Sequence, residues 1–219
     1  MNNYKRRLID KLKILVVYGG RIFYYKPQIL SYLSSLIYAG YVTRKIRVIQ
    51  KQSFLCDRPL VISGGKYIQI HSGRVKDHCR LEALKANPTP PRIKIGKHFV
   101  LGSFSHIGIC STLEVGDNFL SGANCLITDH THGFDIEEEF NIAPTERKLK
   151  VKGPIIIGDN VFLGDNVVIL GNITIGSNVT IGASTVVTKD IPSDSIAVGN
   201  PCRIIPKHSN ASIYESAAE

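Results

Sequence analysis

The sequence predicts an all-β solenoid, a parallel β-helix with a helical N-terminal segment and one long loop interrupting the coils. Two observations carry this. From Ile157 to Asp190 an apolar residue recurs every six positions, at Ile157, Leu163, Ile169, Ile175, Ile181 and Val187. Gly follows four of those six, at Gly158, Gly164, Gly176 and Gly182. A period of six fits neither a helix nor an ordinary strand. It fits hexapeptides that wind three to a triangular turn of about 18 residues. Each leading aliphatic then points inward and stacks on its equivalents above and below. One turn cannot bury its own apolar face, so the turns need each other. The Gly after each aliphatic is expected to permit a corner backbone that a side chain would hinder. Asn and Asp near the corners (Asp159, Asn160, Asp165, Asn166, Asn178) are expected to bond local backbone groups. A β-sandwich with frequent turns is the alternative, and the unbroken six-residue steps argue against it.

Along the chain, residues 1–57 read as a basic N-terminal helical segment. Leu8, Leu12, Leu15 and Val16 recur at helical spacing, and Gly19-Gly20 ends that run. Pro27 suits the first turn of a second helix, expected from about Gln28 to Tyr38. The uncharged stretch Pro27 to Thr43 lies at the lower edge of a membrane-spanning length. Its three Ser, three Tyr and Gly favour a surface helix or one packed on the coil or a neighbouring subunit. Gly19-Gly20 and Arg21 interrupt the apolar run, which argues against a signal peptide.

Residues 58–207 read as the coil. Alternation at Ile68/Ile70 and Leu81 suggests atypical first turns, and Lys85 to Arg92 is a Pro-rich loop. The beat starts at Ile95-Gly96, continues through Leu101, Ile107 and Leu113, slips by two residues and resumes at Val115, Ser121 and Ile127. It vanishes over residues 129–153, a loop holding His130, His132, Glu137-Glu138-Glu139, Pro144 and Arg147. An interruption of that length in a compact repeat points to function. Pro192, Pro201 and Pro206 end the solenoid, and 208–219 is a tail.

Charge is uneven. Residues 1–60 hold 12 Lys+Arg against Asp10 and Asp57, whereas the remainder holds 15 bases against 16 acids. With no nucleic-acid reading module, the basic excess fits anionic head groups or acidic polymers rather than nucleic acid. Five widely spaced Cys without a CxxC argue against a disulfide framework and fit a reducing compartment.

The hexapeptide block, the VTKDIP step (Val187 to Pro192) and the GNPCRII coda (Gly199 to Ile205) resemble the left-handed β-helix acyltransferases. Within these the sequence resembles the maltose/galactoside acetyltransferase branch and the polysaccharide O-acetyltransferases. The left hand comes from that resemblance, since general crossover rules favour the right. The resemblance implies acetyl-CoA as co-substrate, no required metal, a homotrimer with the site between copies, and a glycan or sugar acceptor. It implies a loop histidine as general base, suited by a pKa near neutrality. His132 is the expected base by counting from Val115-Gly116; His130 is the alternative, and Asp129 could orient either. Gly164, Asp165, Ala183, Thr188, Lys189 and Arg203 are the expected coenzyme contacts, the two cations for phosphate.

This sequence also departs from the galactoside-type pattern. Gly102 stands for an Asn that contacts the sugar or intermediate, Cys110 for an acceptor-contacting Asp, Asp165 for a Ser and Pro206 for a base. The acceptor is therefore not expected to be a simple galactoside. The basic N-terminal segment and its join through VISGGKYIQI (Val61 to Ile70) resemble the polysaccharide O-acetyltransferases, which implies a lipid-linked or growing glycan and a cytoplasmic setting, with residues 1–55 as the candidate contact at the inner membrane face. Rival readings are an amino-sugar N-acetyltransferase, a γ-class carbonic anhydrase with three of the seven His on zinc, and a non-catalytic binding solenoid. A nucleotidyltransferase is disfavoured because no Gly-rich phosphate loop precedes the coil.

Overall fold

The computed structural model describes residues 27–133 and 139–206. The expected first helix around Leu8 to Val16, the acidic residues Glu137 and Glu138, and the 208–219 tail lie outside the described residues.

Three parallel sheets form the sides of a prism. The first stacks Arg47–Val48, Ile68–Ile70, Arg92–Ile95, Thr112–Val115, Ile155–Ile157 and Ile173–Ile175. The second holds eight strands, from Phe54–Cys56 to the coda strands Ser195–Val198 and Arg203–Pro206. The third runs Leu60–Ser63, Cys79–Ala83, His106–Ile109, Leu126–Thr128, Val168–Leu170 and Val186–Val187. Adjacent coils pair in register, for example Leu113 with Ile155 and Ile155 with Ile173. The inward residues are the core; Ile107, Ile109, Leu113, Leu163, Ile169 and Ile181 are fully buried. Each such burial contributes on the order of 1.5–3 kcal/mol. The coda turns back as an antiparallel hairpin, Ser195–Val198 on Arg203–Pro206, and closes the end of the second sheet.

One local expectation, that a side chain in place of the block glycines would be hindered, gains its cause, and one, the bonding of the corner Asn and Asp, is corrected. The corner residue with left-handed backbone is not the Gly but the position three after the inward aliphatic. Asn118, Asn124, Asn160, Asn166, Asn172 and Asn178 all have φ between 56° and 63°. Asn tolerates that region better than other side chains. The block glycines serve close approach instead: a Cβ at Gly102 would lie 2.0 Å from the Gly122 carbonyl oxygen on the next coil. The corner Asn and Asp side chains also bond the adjacent coil rather than local backbone. Asn118 Nδ2 donates to Asn160 (2.9 Å), Asn160 to Asn178 (3.0 Å) and Asn178 to Asp194 (2.9 Å). This side-chain ladder reinforces the backbone ladder along one edge of the prism.

Stacking also begins before residue 58. Arg47–Val48 and Phe54–Cys56 already pair in parallel with the second coil. Helix α1 (Pro27–Val42) runs four residues beyond the expected Tyr38, through Gly40. Its Ala39 and Val42 close the open end of the core, and the Ser35 hydroxyl, 2.9 Å from the Ser31 carbonyl, can donate its one hydrogen to that carbonyl or to Asp57. The opposite side of α1 exposes Tyr32, Leu33, Leu36, Ile37 and Tyr41. No helix among the described residues is long and apolar enough to cross a membrane.

Coil length varies mostly at one edge, where the third sheet passes to the first. The connections 84–91, 110–111 and 129–154 all leave there. The two-residue slip in the sequence is Cys110-Ser111, and the long interruption emerges one coil later on the same edge.

Candidate active site

At the end of Leu126–Thr128 the chain turns Asp129 fully inward. Its carboxylate is met by the extra residues of the coil below. Cys110 N–H donates to Oδ1 at 2.8 Å, and Ser111 donates both its N–H and its hydroxyl to Oδ2, each at 2.6 Å. Burial pushes this carboxyl up, but the bonds from His130, Ser111 and the two backbone N–H groups outweigh it and hold the group below its ordinary range. Asp129 is therefore an anion at neutral pH.

His130 sits on this anion, with Nδ1 3.2 Å from Asp129 Oδ1 and 3.3 Å from Thr128 Oγ1. An ionised carboxylate beside Nδ1 fixes the tautomer with hydrogen there and leaves Nε2 with its lone pair. The backbone is held as well. His130–Thr131 pairs antiparallel with Lys150–Val151, and Lys152 N–H donates to the Asp129 carbonyl at 2.7 Å. His132, two residues on, lies in a bend and has no hydrogen bond or ion pair among the described residues.

A second imidazole faces the same space. His106 Nε2 is 2.8 Å from Glu82, which also takes Arg80 at 3.0 Å. Burial lowers the His106 pKa; Glu82 opposes this, while Arg80 and His130 add to it. Between the two rings lies Gly108, where a Cβ would be 3.1 Å from His106 Nε2 and 3.5 Å from His130 Cε1. Glu82, Gly108 and Thr128 share one row of the third sheet's outer face, and Arg80 and His106 share the next. The site is thus a small hollow floored by Gly108, with an imidazole–carboxylate pair on either side. Sequence reasoning missed the His106–Glu82 pair, whose only signal is that coil register.

Cys110, Asp129 and His130 bring their ligand-type atoms within 4.8 Å of one another. They do not fit a metal. Both Asp129 oxygens are occupied by N–H and O–H donors, and burial pushes the Cys110 thiol up to about 11, so it stays protonated.

The expected coenzyme residues fall at two edges. Gly164, Asp165 and Ala183 lie where the second sheet passes to the third; a Cβ at Gly164 would be 2.6 Å from Ala183 N. Asp165 Oδ1 is occupied by Ala123 N–H at 2.7 Å, which makes it a link between coils. Thr188 and Lys189 are exposed on the same edge as His130, two coils further along. Lys189 approaches the coda closely enough to oppose the upward push of burial on the Cys202 thiol, and the neighbouring Arg203 is exposed. Between the two edges runs the half-buried outer face of the third sheet, with Leu126, Val168, Leu170 and Val186.

Comparison with known proteins agrees with this architecture. Residues 154–189 match the bacterial transferase hexapeptide (six repeats) model. Galactoside O-acetyltransferase from Escherichia coli is 37% identical over 118 residues, 52% of this chain and 53% of that protein. The chain thus spans about half the length of such curated relatives. A galactoside acetyltransferase solved with coenzyme A has a TM-score of 0.55 and 27% identity, covering 77% of this chain and 68% of that one. AntD, an N-acyltransferase from Bacillus cereus, has a TM-score of 0.64 at 20% identity, covering 81% of this chain and 92% of that one. The fold is the left-handed parallel β-helix. Within that class, the chain is similar over part of its length to the hexapeptide-repeat transferases.

Proposed function

We propose that this chain is an acetyl-CoA-dependent O-acetyltransferase acting on a sugar hydroxyl of a glycan, with His130 as general base. The observation that carries the reading is the fixed His130–Asp129 pair, which leaves Nε2 free beside the Gly108 hollow. In the reaction Nε2 takes the proton as the acceptor oxygen attacks the thioester carbonyl. The C–S bond breaks, and the proton passes from the imidazolium to the leaving CoA thiolate. Asp129 stabilises the imidazolium in between. His106, lowered by burial and neutral near pH 7, orients the acceptor from the other side of the hollow. Two of the proteins named above are galactoside acetyltransferases by name, which supports a sugar acceptor. Gly102 and Cys110 stand in place of side chains that would hold a simple galactoside, so the acceptor is a longer, growing or lipid-linked glycan. The test is acetyl-CoA turnover against hydroxylated and amino sugars, free and polymeric. Equal efficiency on free mono- and disaccharides would overturn the glycan assignment, and a strict need for an amine would make it an N-acetyltransferase.

The coenzyme lies along the outer face of the third sheet, its pantetheine beside Val168, Leu170 and Val186 and its phosphates toward Lys189 and Arg203. A neighbouring copy supplies the second wall, in a homotrimer. The apolar outer row of the second sheet supports this: Val100, Leu120 and Phe162 align in register, and Leu120 and Phe162 remain 45% and 42% exposed. The expected result is a trimer by light scattering for the full chain and a monomer for Leu120→Asp/Phe162→Asp. A monomeric full chain would contradict it.

The cell compartment is the cytoplasm, at the inner face of the membrane. The basic residues of the first 60 positions and the exposed apolar side of α1 support surface binding. The full chain is expected to sediment with vesicles containing anionic lipid and not with neutral ones. Ile37→Glu/Tyr41→Glu should abolish that, and binding independent of lipid charge or of these residues would refute it.

A further inference from the structure

The outer face of the first sheet carries a groove that the acetyl-transfer site does not use. One part of it, about 580 Å³, is lined by Pro90 and Pro91 and by the outward side chains Arg47, Gln69 and Lys94, which share one row across three coils. Lys66 and Tyr67 close one side. Lys66 Nζ stands 5.0 Å and Lys85 Nζ 6.0 Å from the centre of the Tyr67 ring. Arg92 is paired with Glu114, but Arg47, Lys66 and Lys94 have no carboxylate partner among the described residues. A second hollow of about 450 Å³ continues along the same face past Gln69 and Lys94. It is lined by His71, whose Nε2 is buried without a hydrogen-bond partner, and by Glu114 and Asp117, which are paired with Arg92 and Lys97. A solvated basic patch needs neither a walled groove nor an orphaned imidazole nitrogen. A tyrosine with Lys66 and Lys85 over its ring, Arg47 and Lys94 without a carboxylate partner, and amide and imidazole groups along the floor are the chemistry that holds a sugar bearing a carboxylate or phosphate.

The groove also meets the active-site edge. Arg92 N–H donates to the Ser111 carbonyl at 2.7 Å, and Ser111 is a residue that holds Asp129. A chain lying on the first sheet can therefore turn the corner and present its next residue at the Gly108 hollow. We infer that this groove binds an acidic glycan and selects such a chain as the acceptor. The inference rests on the proposed acetyl transfer for its purpose, but the groove's binding is measurable without it.

The experiment titrates the full chain with an oligogalacturonate hexamer and with a neutral maltohexaose by calorimetry, without acetyl-CoA. The expected result is at least a 10-fold preference for the acidic hexamer, weakening as salt rises. Lys66→Glu/Lys94→Glu, both on exposed side chains, should lose at least 10-fold in that affinity while retaining acetyl-CoA binding and the thermal midpoint. His130→Ala should bind the hexamer as the unaltered chain does, which separates failure of the groove from failure of the catalytic reading. Equal binding of the two hexamers overturns the inference, as does an unchanged affinity in the double variant. Loss of anionic-vesicle binding in that variant, with the acidic hexamer unbound by the unaltered chain, assigns the groove to lipid head groups and also overturns it.

Discussion

His130→Ala is expected to lower acetyl-transfer turnover by roughly 10²–10⁴-fold, the usual worth of a positioned general base. Affinity for acetyl-CoA should hold, because the imidazole acts on the acceptor proton. The fold should hold too, since the side chain lies outside the core and its strand is kept by the pairing with Lys150–Val151. His132→Ala should stay within a few-fold of the unaltered chain. This ranking reverses the one that counting from Val115-Gly116 favours. His130 is held on a buried anion, whereas His132 has no such support among the described residues. Thiol release from acetyl-CoA by the two variants, with circular dichroism as the fold check, decides it. Full activity in His130→Ala and loss in His132→Ala would transfer the role.

Asp129→Ala should cost both activity and stability. It strands the N–H groups of Cys110 and Ser111 in a buried site, at about 1–3 kcal/mol each. It also releases His130 to either tautomer. The pH dependence has a definite sign. Because the folded carboxyl is held below its unfolded value of 3.8, its contribution is fully present above that pH. It is lost as the pH falls through the lower folded value. The stability gap between the unaltered chain and Asp129→Ala should therefore be widest at neutral pH and narrow below about pH 3.8. Urea unfolding at neutral and acid pH measures it, and a gap that widened on acidification would contradict the assignment.

Much of the coil was legible because its core residue recurs at fixed spacing wherever no extra residues intrude. The first coils were less so. Turns at Lys51–Ser53 and Gly65–Tyr67 insert residues between inward positions, so Val48, Cys56 and Ile70 keep no regular beat. The period marks the glycines as places where a side chain would be hindered, but it cannot tell a left-handed corner from a close approach; the backbone angles can. The same limit applies at the site. The long loop and its histidines stand out in sequence, and the slip at Cys110-Ser111 was visible. That the slip supplies three donors to Asp129 depends on which coil lies beneath which. The His106–Glu82 pair, 24 residues apart, needs the same register. Asp165 illustrates the converse, a residue matched to a coenzyme position whose carboxylate oxygen links two coils.

The central claim is that a stacked coil presents His130 to an acceptor hydroxyl beside a coenzyme thioester. The most direct measurement is free-thiol release from acetyl-CoA by the full chain, with and without an acidic oligosaccharide, alongside mass analysis of the sugar. The account predicts release that depends on the sugar, matched by a single acetyl mass gain on it for each thiol freed. No release with any hydroxylated glycan, or release without acetyl on the sugar, would contradict it.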